Sequence, residues 1–476
     1  MKSLAKDTAI YGLSSIVGRF LNYLLVPIYT RVLDPSEYGI VTNLYGYVAL
    51  ILVILTFGME TTFFRFANKE GETPDTVFST AFAFVSALTL VFLTLVFAFI
   101  SPLSEYINYQ AHPDYLLLMS VVIGIDVIQA IPFCYLRFHK LPIKFAALKM
   151  LFIALNIGLN LLYFVVLGIR DVAYVFILNL VCSGLVTFFF LPEFIRMKWK
   201  FDATLLRRMF SYSWPLFILG VAGILNQTAD KIIFPLVYPD EVVGKTLLGI
   251  YGGCVKIAMI MAMITQAFRY AYEPLVFSIS KNKDSKETYA LGMKYFLIFT
   301  LLAFLCVVGY MDLLKLIIGP EYREGLRVVP IVMVAEIMMG VYFNLSFWYK
   351  LIDKTIYGAW FSLAGCAVLI AVNVIFIPIY GYMACAWGGV AGYGTAMVLS
   401  YLVGQRKNPI NYPMASMFVY VALTYAVWIF MNWIPSEWPL WARLGVNTLL
   451  LLAFVAHIIR YDLPLRNLPV IGRFFR

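Results

Sequence analysis

Residues 355–405 read TIYGAWFSLAGCAVLIAVNVIFIPIYGYMACAWGGVAGYGTAMVLSYLVGQ, without one Asp, Glu, Lys or Arg. A helix crosses the hydrocarbon core of a bilayer with about 20 apolar residues. This stretch therefore holds two spans, with a turn at Pro378-Ile379-Tyr380-Gly381. Outward from it, Tyr38–Met59, Thr76–Ser104, Met150–Ile169, Val172–Pro192, Met209–Ala229 and Asn408–Ser436 each contain no Asp, Glu, Lys or Arg either. Of the 476 residues, 62% are hydrophobic and 13% charged, where soluble domains carry about 25% charged residues. The segments between the apolar stretches are too short for a soluble domain. The expected fold is an all-α polytopic membrane protein of about fourteen transmembrane helices.

The spans are expected near 8–32, 38–62, 77–101, 115–137, 145–168, 172–192, 211–237, 247–271, 292–318, 327–350, 356–379, 381–403, 413–434 and 440–459. The first is too long for a signal core and lacks a small-residue cleavage site, so it reads as a retained span. An even count puts both termini on one side. Lys2, Lys6, the clusters Arg137/Lys140/Lys144/Lys149 and Arg196/Lys198/Lys200/Arg207/Arg208, and Arg406/Lys407 fall there. The other side carries few basic residues, among them Arg31, Arg170, Arg323 and Arg443. Basic residues are retained in the cytoplasm, so both termini are expected to be cytoplasmic. The net charge of +10 is accounted for by these loops and does not point to nucleic acid. The six cysteines lie in apolar segments without CxxC spacing, and His112, His139 and His457 are scattered. They read as small buried hydrophobes and isolated polar groups, not as a metal site or a nucleophile–base pair.

The chain reads as doubled. Tyr38-Gly39-Ile40 finds a counterpart in Leu248-Gly249-Ile250-Tyr251, and Asn160, Gly168 and Ala173 match Asn373, Gly381 and Ala386 at a constant shift. The organisation expected is an N-terminal six-helix lobe over 1–192, a basic cytoplasmic linker over 193–210, a C-terminal six-helix lobe over 211–403, and helices 13 and 14 with a basic tail over 404–476. Six spans per lobe make the repeats parallel, so that they can enclose a cavity and rock around it.

Ionisable groups at bilayer depth cost a few kcal/mol each and need a partner or a function. The basic candidates for a substrate-binding cavity are Arg19, Arg65, Lys231, Lys256 and Arg269. The acidic ones, candidates for ion coupling, are Glu60, Asp126, Asp230 and Glu336. The plainer reading stands beside each. Arg65, Arg269 and Glu273 lie near span ends, where they can snorkel as anchors. Asp230 and Lys231 can satisfy other helices, and Asp126 can be a partner for Arg19 or Lys256. Taken together the cations outnumber the acids in helices 1, 2, 7 and 8, which favours an anion such as phosphate or pyrophosphate. No Walker-type phosphate-binding sequence is present, so direct ATP hydrolysis is not expected.

The opening Lys-Asp-Thr, Tyr11-Gly12, Gly18-Arg19-Phe20, Val26-Pro27-Ile28-Tyr29-Thr30-Arg31-Val32-Leu33 and Asp34-Pro35-Ser36-Glu37-Tyr38-Gly39-Ile40 resembles that of the bacterial polysaccharide-transport proteins, the O-antigen and oligosaccharide flippases. Phe57-Gly58-Met59 followed by Phe64-Arg65-Phe66 fits the end of their second helix. Their superfamily also holds the multidrug and toxin exporters and the lipid II flippase. The resemblance implies two pseudo-symmetric six-helix lobes around a cationic cavity, with two further C-terminal helices. It implies a transporter, not an enzyme, in the bacterial cytoplasmic (inner) membrane, without a cofactor but with coupling to an H+ or Na+ gradient. The substrate implied is an undecaprenyl-pyrophosphate-linked oligosaccharide, such as an O-antigen unit of lipopolysaccharide or a capsule repeat unit, delivered to polysaccharide polymerase machinery. The rival readings are a cation-coupled multidrug exporter, a lipid II flippase, and a membrane glycan polymerase. The last normally needs a larger outer loop than Tyr238–Thr246 or Gly319–Leu326 provides.

Overall fold

Proline opens the early helices. Its fixed φ suits the first turn, and its missing N–H is not needed there. Pro35, Pro74, Pro113 and Pro142 each stand at the start of a long helix. At the first of these, Asp34 and Glu37 form a reciprocal capping box, with the Asp34 backbone N–H donating to Glu37 Oε2 at 3.0 Å. The computed structural model describes residues 23–196, 199–279, 285–352, 354–435 and 437–462.

The described residues form α1 (Val26–Val32), α2 (Pro35–Thr56), α3 (Met59–Ala67), α4 (Pro74–Ala98), α5 (Ile100–Tyr106), α6 (Pro113–Phe138), α7 (Pro142–Asn160), α8 (Ala173–Phe188), α9 (Leu191–Arg196) and α10 (Ala203–Val237). They continue with α11 (Glu241–Ile279), α12 (Ser285–Gly309), α13 (Met311–Leu314), α14 (Val329–Leu345), α15 (Phe347–Leu351), α16 (Ile356–Tyr380), α17 (Tyr382–Lys407), α18 (Met414–Trp433) and α19 (Leu440–Tyr461). A π turn, Leu161–Val166, extends α7, and a 3-10 segment, Pro320–Val328, leads into α14. No strand occurs among the described residues.

Eleven of these helical segments are long and apolar enough to cross a membrane. The shorter apolar helix α8 lies at the expected sixth span, and the glycine-rich α17 lies at the expected twelfth. The expected first span falls mostly outside the described residues. The protein is an all-α, multi-pass membrane protein.

The chain divides into two compact units, one of residues 1–256 and 362–392, the other of 257–361 and 393–476. In the first unit α10 runs along α2, and α11 approaches α2 through small residues that let backbones come close. A Cβ on Gly39 would stand 1.9 Å from the Lys245 carbonyl oxygen, and one on Gly249 would stand 1.8 Å from that of Pro35. The unit's main apolar core gathers Met59, Phe63, Phe78, Ile131, Leu205 and Met209, all essentially inaccessible to solvent.

The second span differs from its sequence-based expectation. Residues 38–62 are expected as one helix, but Phe57 and Gly58 both adopt left-handed backbone, φ 50° and 68°, and divide it. Phe57 is held there by stacking on Phe210 and Phe217, with ring centroids 5.0 and 4.5 Å away. Gly58 meets this conformation without steric cost.

The second unit centres on Trp348, whose indole N–H donates to Ser400 Oγ at 3.2 Å and whose ring packs over Gly404. Its last helices are fastened by Asp462, which accepts from Lys294 Nζ of α12 and from the Tyr420 hydroxyl of α18.

The doubled chain is visible in the backbone. Gly168 and Gly381, matched in sequence, both have positive φ, 66° and 56°. Asn160 and Asn373, also matched, are both fully buried. They then diverge. The Tyr29 hydroxyl donates to Asn160 Oδ1 at 2.7 Å, whereas neither amide atom of Asn373 has a hydrogen-bond partner among the described residues.

Candidate functional site

Charged groups inside the spans fall into separate neighbourhoods, three of them in the first unit. Arg19 lies outside the described residues. On the short amphipathic helix α3, Glu60 and Arg65 stand little more than one turn apart and both are accessible. The Arg65 guanidinium lies 4.0 Å from the centre of the Tyr212 ring, and no carboxylate pairs with it among the described residues. An aromatic face stabilises a cation by about 0.5–2 kcal/mol without cancelling its charge.

Glu60 belongs to a polar group spread over two further helices. Lys149 of α7 and Arg137 of α6 are the cations acting on it, and Cys134 Sγ contacts its Oε2 at 3.9 Å. Lys149 also acts on Asp126, and its ammonium sits 3.9 Å from the centre of the Phe133 ring. Asp126 accepts from Ser183 Oγ of α8 at 2.8 Å. Gln129, one turn on, donates to the Ser183 carbonyl and to Thr187 Oγ1. Among the described residues Lys149 is the cation acting on Asp126. Sequence counting assigns Lys149 to a basic loop cluster, because Arg137, Lys140 and Lys144 precede it closely. The signal against that assignment is position: Lys149 stands two turns inside α7, which carries no charge beyond it.

The third neighbourhood surrounds α10. Asp230 and Lys231, candidates to satisfy other helices, pair with each other, Nζ to Oδ1 3.0 Å. Lys231 Nζ also donates to the Gln227 carbonyl at 2.8 Å, and the Tyr251 hydroxyl donates to Asp230 Oδ2 at 2.8 Å. From α2, Asn43 Nδ2 donates to the Lys231 carbonyl at 2.7 Å. Lys256, further along α11 than Tyr251, has no carboxylate partner among the described residues; the charge acting on it is another cation, Lys231.

The second unit holds Arg269, Glu273, Glu336 and Lys350. Arg269 Nε donates to Glu273 Oε2 at 3.3 Å, and Lys350 Nζ donates to Glu273 Oε1 at 2.9 Å. Glu336 is half-buried on α14 and has its own partners. From sequence Lys350 reads only as a loop charge.

An apolar groove of about 440 Å³ lies in the first unit between α2, α4, α5 and α6. Leu44, Ile51, Phe92, Phe99, Leu116 and Met119 are among its walls. Such a surface suits a hydrocarbon chain. Chemically, the described residues offer cations without matching acids, carboxylates held by cations, and an apolar trough.

Residues 4–268, more than half of the chain, match the family model described as polysaccharide biosynthesis protein. No curated protein matches. Among solved structures, "Lipid II flippase MurJ, inward closed conformation" superposes with a TM-score of 0.76 at 15% identity, covering 94% of this chain and 98% of that one. "Outward-facing conformation of a multidrug resistance MATE family transporter of the MOP superfamily" gives 0.57 at 13%, covering 88% and 96%. "Crystal structure of MATE in the bent conformation" gives 0.55 at 13%, covering 88% and 97%. At these identities the likeness is one of fold.

Proposed function

This chain belongs to the polysaccharide biosynthesis protein family, and from that premise we propose that it is a flippase for a saccharide carried on undecaprenyl pyrophosphate. The glycan enters from the inner leaflet of the bacterial cytoplasmic membrane and leaves in the outer leaflet. Both termini face the cytoplasm, and the product passes to polymerase machinery. O-antigen and capsule repeat units are cargo of this chemistry.

The observation that carries this reading is Lys256, a cation within a membrane-spanning helix with no carboxylate to neutralise it among the described residues. Such a charge is costly in lipid unless water or an anion reaches it. A pyrophosphate replaces its hydration, and Arg65, without a carboxylate among the described residues, adds to the same preference; Arg19, Lys231 and Arg269 complete the cationic set, the last two once Asp230 and Glu273 release them. The hydrocarbon tail stays in the lipid or lies along the apolar groove of α2, α4, α5 and α6. Two six-helix lobes, 1–192 and 211–403, alternate access by rocking. Glu60, Asp126, Asp230 and Glu336 are the sites through which an H+ or Na+ gradient drives turnover.

The test is translocation of a fluorescent undecaprenyl-pyrophosphate oligosaccharide in reconstituted vesicles. Lys256→Met should lower the rate by about tenfold or more, the scale of one lost charge-assisted contact, and Lys256→Arg should retain most of it. Full activity of Lys256→Met would overturn the reading. A lipid II flippase shares the phosphate chemistry, so lipid II that competes more strongly than the oligosaccharide would reassign the cargo. Export of a cationic dye without glycan transport would favour the multidrug reading.

A further inference from the structure

We propose that the pocket formed by α11, α12, α14 and α15 is a seat for a phosphate group of the cargo, held until binding by the carboxylate of Glu273. The inference rests on the flippase reading and deepens it.

One carboxylate spans two cations here, each oxygen on its own donor: Oε1 on Lys350 Nζ at 2.9 Å and Oε2 on Arg269 Nε at 3.3 Å. Two oxygens of a phosphate present a similar spacing and more charge, and cationic donors favour them. The group is not sealed, since the Arg269, Glu273 and Lys350 side chains are 39%, 30% and 25% exposed. Both cations have a second hold. The Arg269 guanidinium lies 4.9 Å from the Phe343 ring centre, and the Lys350 ammonium 5.2 Å from that of Phe347. They therefore stay in place when the carboxylate leaves.

The pocket also contains unmet hydrogen-bonding capacity. Thr265 Oγ1 and Asn344 Oδ1 have no partner among the described residues, and they belong to lining residues only 5% and 8% exposed. A buried polar atom left so is destabilising until something bonds to it. Asn344 Nδ2 is used on the Gly340 carbonyl at 3.0 Å, which leaves its Oδ1 as an acceptor. A ligand hydroxyl or a water satisfies it. The free space is about 10 Å³, the room of a single water. A phosphate therefore takes the place of the Glu273 carboxylate between Arg269 and Lys350, two of the lining residues, and the resting carboxylate keeps that place filled.

The repeat supplies an independent observation. The shift that carries Asn160 onto Asn373 and Gly168 onto Gly381 also carries Glu60 onto Glu273 and Arg137 onto Lys350. In the first half Glu60 is again acted on by Arg137, whose guanidinium rests 5.0 Å from the Phe64 ring centre. A carboxylate with a cation acting on it thus stands at the matched position of each half, and only the second half shows a direct ion pair. The same shift places Leu52 and Ile131 where the second half has Thr265 and Asn344. Of the two, the second half has the polar floor, and the seat is assigned there.

The experiment titrates the purified full chain in detergent with farnesyl pyrophosphate, and separately with inorganic pyrophosphate, by calorimetry. Glu273→Gln removes the competing anion and should bind farnesyl pyrophosphate roughly fivefold more tightly than the native chain, the upper scale of a partly exposed ion pair. Glu273→Asp, too short to span both cations, should show a smaller gain. Adding Lys350→Ala to Glu273→Gln should abolish the gain. A folded Glu273→Gln that binds no more tightly overturns the inference, as does failure of both Glu273 variants to fold, which would make the carboxylate a structural ion pair. Inorganic pyrophosphate binding more tightly than the farnesyl ester would overturn the assignment to a lipid-linked cargo. If the native chain and every variant bind no farnesyl pyrophosphate at all, the flippase reading fails with it.

Discussion

Gly39 and Gly249 meet backbone to backbone: a Cβ on Gly249 would lie 2.8 Å from the Gly39 nitrogen, and one on Gly39 would lie 3.2 Å from the Gly249 nitrogen. The two glycines are also counterparts in the doubled sequence. A contact between equivalent positions is what a two-fold relation between repeats produces where its axis passes. Neither neighbour can yield, because the closest atoms on both sides are backbone carbonyls. Gly249→Ala should destabilise the protein by about 1–3 kcal/mol through overpacking. Thermal unfolding of the detergent-solubilised protein checks this, and an unchanged midpoint would refute it.

Gly168 separates strain from crowding. It has φ 66° and no atom within 4 Å of a Cβ placed on it. Only backbone strain opposes a side chain there. Gly168→Ala should cost about 1–2 kcal/mol. Gly168→Asn should cost less, because asparagine tolerates left-handed backbone. Equal unfolding midpoints for the two variants would contradict the argument.

Arg65 tests whether geometry or charge alone matters on α3. Its guanidinium lies on the Tyr212 ring, a stacking that an ammonium does not reproduce. Arg65→Gln should reduce glycan translocation by about tenfold or more, the scale of one lost charge-assisted contact, and Arg65→Lys by a smaller factor. If Arg65→Gln transports at the native rate, Arg65 has no part in handling the cargo.

Asp462 gives a pH dependence with a definite sign. Burial pushes its carboxyl up, but hydrogen bonds and charge from Lys294 and Tyr420 outweigh this and hold it below the ordinary carboxylate range. A carboxyl whose pKa is lower folded than unfolded stabilises the fold above the unfolded pKa. That contribution fades as pH falls through the folded pKa. The docking of α18 and α19 on α12 should therefore be unaffected between about pH 8 and pH 6 and weaken on further acidification. Asp462→Asn should show a lower unfolding midpoint at neutral pH and a smaller acid-induced loss. A native midpoint in this variant would remove Asp462 from the account.

The spans are legible because hydrocarbon imposes a simple rule on composition, and runs such as Val172–Pro192 obey it without exception. The break at Phe57 is not, since a left-handed phenylalanine is held by Phe210 and Phe217, residues distant in the chain. Site charges are legible as types but not as pairs. Asp230 and Lys231 are neighbours in sequence and in space, so their pairing is within reach of the sequence. The Lys149–Asp126 relation and the Glu273–Lys350 bond depend on helix packing, which hydropathy does not encode. The repeat contains a further clue, because the shift defined by two asparagines also aligns Glu60 with Glu273. Without the Lys350–Glu273 bond nothing distinguishes that alignment from a chance match.

The division at Phe57 and Gly58 turns one span into two rods joined by a swivel. The shorter rod bears Glu60 and Arg65, and the longer one is clamped by Gly39 at its far end. A tilt of the shorter rod need not drag the longer through the lipid. Phe210 and Phe217 hold Phe57 at the joint, their rings stacked on its own. Glu60 and Arg65 thus ride on a rod whose direction the longer one does not fix.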